Sequence, residues 1–158
     1  MSTGPAEGEP LHTVLLLGAP VRVWERTSIH VAELLREFAL VAIGAGDGHV
    51  PDALLQLVAD IRGRFAGIGA AQEAELEAAL SVGERTHDFR YRVPAAVGEA
   101  CRVLGELLDQ ADEHCAQGRE LITLVSPPDQ RRFRDWYLEE FPRQIAGQPP
   151  RPWDGPTA

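Results

Sequence analysis

The sequence predicts an α+β fold, predominantly α, with about five helices packed with a small two- or three-stranded sheet. Three observations predict it. Apolar residues recur at helical spacing over most of the 158-residue chain. Phe89, Tyr91 and Val93 alternate with Asp88, Arg90 and Arg92, the pattern of a half-buried strand. Thr13 to Leu17 is a compact apolar run ended by Gly18 and Pro20, which suits a short buried strand.

Residues 1–10 are rich in Gly, Pro and Glu and bury too little apolar surface to offset their ordering entropy, so they are expected to be a disordered tail. The strand at 13–17 follows. Trp24, Val31, Leu35, Phe38 and Ala42 mark an amphipathic helix to about Ile43, with Leu34 and Val41 beside the stripe. It ends in Gly44-Ala45-Gly46-Asp47-Gly48, where glycines permit positive φ. A second helix is expected over 51–65, opened by Pro51, and a third from Ala71 to about Leu80, with Leu76 and Leu80 inward and Gly83 as its stop.

The alternating strand at 87–93 is expected to pair with 13–17. Pro94 then opens the clearest helix, where Val97, Cys101, Leu104, Leu108, Ala111 and Cys115 repeat in steps of four and three. That seam should pack along another helix, in this chain or in a second copy. Leu121 to Val125 is a candidate third strand. Ser126 reads as an N-cap before Pro127 and Asp129, and the last helix presents Phe133, Trp136, Tyr137, Phe141 and Ile145, with a kink expected at Pro142. Residues 11–147 thus form one domain, followed by an extended tail over 148–158, from which Trp153 could fold back onto the body.

Composition narrows the function classes. The apolar content of 44% and charged content of 25% suit one folded core. The longest apolar stretch, Val14 to Val23, is broken by Gly18, Pro20 and Arg22, so no membrane span is expected, and no secretory signal is visible at the N-terminus. The expected compartment is the cytoplasm. A net charge of −9 argues against nucleic acid, whose nonspecific binding requires phosphate neutralisation. All fifteen basic residues are arginine, a usage resembling that of GC-rich bacteria. Residues 1–118 hold nine arginines against eighteen acids, whereas 119–153 hold six against five, so the C-terminal part is the less acidic end.

Motifs for catalysis fail one by one. The Gly44–Gly48 loop follows a helix instead of a strand, and without lysine there is no Walker loop. His12, His30, His49, His87 and His114 are scattered; Glu84 and His87 have the spacing of a Glu-x-x-His half-site but straddle a turn and a strand, with no second copy. Cys101 and Cys115, on one helix, would lie roughly 21 Å apart at 1.5 Å per residue, too far for a disulfide. No Gly-x-Ser-x-Gly elbow exists. No catalytic residue, metal or cofactor is assigned.

One cluster stands out. Arg131, Arg132 and Arg134, with Trp136, sit near the start of the last helix, where cations oppose the helix dipole. Either salt bridges within this acidic chain hold them, or a partner's acidic surface or an anion does. Arg90 and Arg92 raise the same question more weakly.

Two segments, PVRVWERTSIHVAELLREFALVA at 20–42 and LITLVSPPDQRRFRDWYLEEFPRQIAGQPPRPW at 121–153, resemble small actinobacterial helical proteins encoded near partner-switching components: anti-sigma kinase-like ATPases, STAS antagonists and SpoIIE-type phosphatases. The chain resembles none of those three itself. Asp47-Gly48 is followed by His49, not by the ATPase loop, and the strand and helix alternation of STAS is missing. The resemblance implies a regulatory, protein-binding role. The expected function is therefore a noncatalytic regulatory or signalling protein-interaction module acting through Arg131, Arg132, Arg134 and Trp136, on a partner-switching component or as a homodimer through the 97–115 helix. The alternative is a small-molecule sensor or enzyme with an interhelical pocket.

Overall fold

A computed structural model of the chain describes residues 8–44, 56, 63, 65, 67–116 and 126–158. Strand β1 (Leu11–Pro20) leads directly into helix α1 (Val21–Gly44); helix α2 (Ala70–Ser81), strand β2 (Thr86–Pro94), helix α3 (Ala96–Ala116) and helix α4 (Pro128–Ile145) follow. The fold is α+β and mostly helical. Four helices stand among the described residues instead of about five. The expected helix at 51–65, the glycine loop at 45–48 and the candidate strand at 121–125 lie wholly or largely outside them, as does most of the N-terminal tail.

The two strands pair antiparallel, from Leu11 opposite Pro94 to Leu16 opposite Phe89. Val14, Leu16, Phe89, Tyr91 and Val93 fill the buried face, while Thr13, Asp88, Arg90 and Arg92 are exposed on the other. Alternation in β2 predicts this face directly, because successive side chains point to opposite sides. β1 is longer than the expected 13–17. Gly18 does not end it but forms a bulge: β1 takes three steps, from Leu16 to Ala19, to cover what β2 covers in two, from Phe89 to His87. Gly18 takes φ +65°, and its N–H donates to Asp88 Oδ1 at 2.7 Å.

Pro20 closes β1, and Val21 N–H donates to Arg85 O, which satisfies an otherwise orphaned amide at the start of α1. At the far end of α2, Gly83 at φ +75° is the expected stop: its N–H reaches Leu80 O and that of Glu84 reaches Ala79 O, the paired bonds of a Schellman motif.

One buried cluster draws from every element. Trp24 is at its centre, with ring centroids 4.4 Å from Phe89, 5.2 Å from Tyr137 and 5.6 Å from Phe133. The seam of α3 packs inside the chain against α4. Val97, Cys101, Leu108 and Ala111 are buried, and a Cβ on Gly98 would meet Pro142 Cα at 3.3 Å and Ile145 Cδ1 at 3.2 Å. A homodimer through this seam would require that packing to open.

Ser126 corrects an expectation. The N-cap of α4 is Pro127, with no side-chain cap bond, and Pro128 opens the helix. Ser126 instead turns back to α3, where its N–H and Oγ–H both donate to Asp112 Oδ1, at 3.0 and 2.8 Å. α4 continues past Pro142 to Ile145.

Residues 148–158 have no regular secondary structure, yet they are strapped to the body. Trp153 N–H donates to Leu17 O at 2.9 Å, and the Trp153 ring packs 5.4 Å from Trp136 and 5.8 Å from Phe133. Beside it, the Gln144 amide bonds both backbone groups of Leu15, accepting from N–H and donating to O at 2.8 Å each.

A candidate interaction groove beside the last helix

The four residues singled out at the start of α4 do not stay together. Arg131 and Arg132 point outward, with side chains 50% and 53% exposed, whereas Arg134 is 3% exposed. Helical phase explains the split: Arg134 is in line with Leu138 and Phe141, both buried, at i+4 and i+7. Its guanidinium donates to Asp112 Oδ2 at 2.9 Å and Asp109 Oδ1 at 2.6 Å, with Asp135 Oδ1 at 3.4 Å. The internal salt bridge is therefore what holds Arg134. Burial pushes the Asp112 carboxyl upward, but the Ser126 and Arg134 bonds outweigh it and leave the group below the usual carboxylate range.

Trp136 is also buried, and its indole N–H donates to Arg151 O at 2.9 Å. That bond helps to fasten the C-terminal strap alongside α4. Between helix and strap lies an open groove of about 540 Å³, walled by Arg131, Arg132, Trp136, Arg151, Trp153 and three carboxylates, Asp135, Glu139 and Asp154. Three of the four predicted residues thus line one groove and Arg134 does not. Arg151, Trp153 and Asp154 escape a reading of the helix alone because they return from the tail; the arginine and tryptophan of Pro150-Arg151-Pro152-Trp153 were the available signal.

Two of the three guanidiniums of the groove are engaged loosely. Arg132 bonds Asp154 at 2.8 Å, where the acid is 85% exposed, and it lies 5.5 Å over the Trp153 ring; Arg131 stands 3.6 Å from Asp109. Exposed pairs of this kind contribute about 0–1 kcal/mol, so an incoming carboxylate can exchange for one at little cost.

Arg151 is anchored on one side. Its backbone N–H and Nε donate to Glu140, at 3.0 and 2.9 Å, and its NH2 to Glu139 at 3.0 Å. Glu140 is fully buried and also accepts from Arg143 at 2.7 Å and Gln144 at 2.9 Å. Burial alone would raise its pKa; these four donors more than offset it and keep the carboxylate charged.

The remaining candidates lie apart from this groove. Glu84 and His87 do meet, at 2.8 Å, and Glu75 of α2 reaches the other ring nitrogen at 3.3 Å. No group of three or more His, Cys, Asp or Glu among the described residues is placed to hold a metal ion. Cys101 is buried and free, and burial pushes its thiol up to about 12, far from a reactive thiolate. His12 lies on β1 and His30 Nε2 is buried without a partner among the described residues; His49 and the side chains of His114 and Cys115 lie outside them. Arg90 and Arg92 are exposed on the outer face of the sheet. No helix is long and apolar enough among the described residues to cross a membrane. No family model, curated protein or solved structure matches this chain.

Proposed function

We propose that this chain is a noncatalytic regulatory or signalling module of the cytoplasm, which binds another protein in the groove between α4 and the C-terminal strap. The observation that carries the reading is the groove's lining: three arginines, Arg131, Arg132 and Arg151, share it with Trp136 and Trp153, and Arg132 lies over the Trp153 ring. Tryptophan and arginine are the residues that dominate binding energy at protein interfaces. The groove also holds three acids, so it favours a segment carrying both charges, with a carboxylate taking the place of Asp154 or Asp109 on Arg132 or Arg131. The resemblance of 20–42 and 121–153 to proteins encoded beside partner-switching components makes such a component the first protein to test.

The test is a quantitative pulldown from an actinobacterial lysate with three baits: the wild-type chain, Arg131→Glu/Arg132→Glu, and Arg22→Glu as a control in α1. A partner recovered about tenfold less by the double variant, and equally by the control, supports the groove. If every partner is recovered equally by all three baits, the groove does not bind protein. Arg134 stays untouched, since its loss would test folding and not recognition.

A further inference from the structure

α1, α2, β2, α3 and α4 leave a half-open cleft of about 590 Å³ between them, in the size range of small-molecule sites. Its walls are chiefly apolar, with Val31, Leu76, Val97, Leu104 and Leu108 among them, and among the described residues it shares none with the groove between α4 and the strap.

Two unused hydrogen-bond donors mark this cleft. Arg134 lines it, and while both terminal nitrogens of its guanidinium are bonded to carboxylates, its Nε–H is buried with no acceptor among the described residues. Native structures rarely leave a buried donor unpaired, and such an atom signals a missing partner. Three residues on, one helical turn along, the Tyr137 hydroxyl lies 3.0 Å from that of Tyr91. One of the two donates to the other, so the acceptor keeps its own proton for a third group.

The charge around Arg134 selects the ligand. Three carboxylates, Asp109, Asp112 and Asp135, face the Arg134 guanidinium and the more distant Arg131, 3.6 Å from Asp109, so a further anion would meet net negative charge. An uncharged acceptor meets no such repulsion. The geometry points to a binding site for an uncharged, largely apolar small molecule whose carbonyl oxygen accepts from Arg134 Nε or from the tyrosine pair.

Nile red, a neutral carbonyl-bearing dye, and pyrene, an aromatic hydrocarbon without an acceptor, test this by fluorescence titration of the full chain. Both are expected to bind saturably, one per chain. Ala100→Phe, which fills the cleft from α3, is expected to weaken both at least tenfold, and Leu104→Phe repeats the test if the first variant loses its native circular dichroism. Tyr91→Phe/Tyr137→Phe is expected to weaken Nile red about three- to tenfold and leave pyrene unchanged. Absence of saturable binding, undiminished binding by folded filled variants, or displacement of Nile red by dodecanoate as strong as by progesterone would each overturn the proposal. The groove would be unaffected by such a result.

Discussion

Two buried charges sit six residues apart on α4, and their surroundings differ in kind. Glu140 is fully buried and accepts four hydrogen bonds, two from Arg143 and Gln144 of its own helix and two from Arg151 that tie down the strap. Arg134 is 3% exposed, is surrounded by three carboxylates, and keeps one N–H unmatched. The first is a closed structural clamp. The second is an ion cluster that fastens α3 to α4 while leaving a donor beside space that a ligand can fill. Both groups are buried and charged; completeness of hydrogen bonding is what differs between them.

The sharpest way to break the comparison is to remove each charge. Arg134→Ala strands the buried Asp112 carboxylate with only Ser126 for company, and is expected to cost about 3–5 kcal/mol in urea unfolding. Glu140→Ala is expected to cost less, about 2–3 kcal/mol, because Arg143 and Arg151 remain 24% and 47% exposed and can turn to water. Its signature is local: amide hydrogen exchange over 148–158 should rise well before the helices lose protection. If the two variants were equally destabilised and the strap stayed protected, the clamp would not be what holds it.

Titration sharpens the contrast. Asp112 and Glu140 both have depressed folded pKa values, so their stabilisation is fully present above the unfolded carboxylate pKa of about 4 and is lost as pH falls through the lower, folded value. His87 works in the opposite sense. Burial pulls its pKa down, but the hydrogen bonds to Glu84 and Glu75 outweigh that and leave it raised. Its contribution is full below the unfolded pKa of about 6.5 and fades as pH rises through the folded value. A melting temperature that declines slightly on that alkaline side, and stops doing so in His87→Gln, is the expected outcome. The smallest effect belongs to Arg131→Ala, within about 0.5 kcal/mol, because its ion pair is exposed; a larger loss would show that the groove is part of the folded architecture.

Much of the fold is legible in the order of residues along the chain. Period-two alternation at 87–93 and the steps of four and three that begin at Val97 are local patterns, and each maps onto an element whose described residues, to Val93 and to Ala111, show the expected buried face. What escaped is what depends on residues far apart. Gly18 reads as a strand end because glycine commonly marks one, yet Asp88, seventy residues away, supplies the acceptor that makes it a bulge. Ser126 before two prolines has the appearance of a cap, but Asp112 offers it two bonds in place of one. Arg134 had a readable clue in its phase with Leu138 and Phe141, as Glu140 had with Trp136 and Phe133; charge drew attention to the triplet, and phase divides it. The groove could be half seen, since α4 supplies one wall and the returning tail the other.

The Gln144 amide has a further role as a counterfeit strand. A two-stranded sheet has two open edges, and an open edge is a template on which other chains can add strands. On the outer side of β1, one side-chain amide copies the donor and acceptor of a neighbouring backbone at Leu15, and the strap continues the imitation with Trp153 on Leu17. Gln144 and the strap together therefore occupy this edge of β1 at Leu15 and Leu17. A chain ending at Gly147 would uncover the Leu17 carbonyl while Gln144 still covered Leu15, leaving that edge half closed.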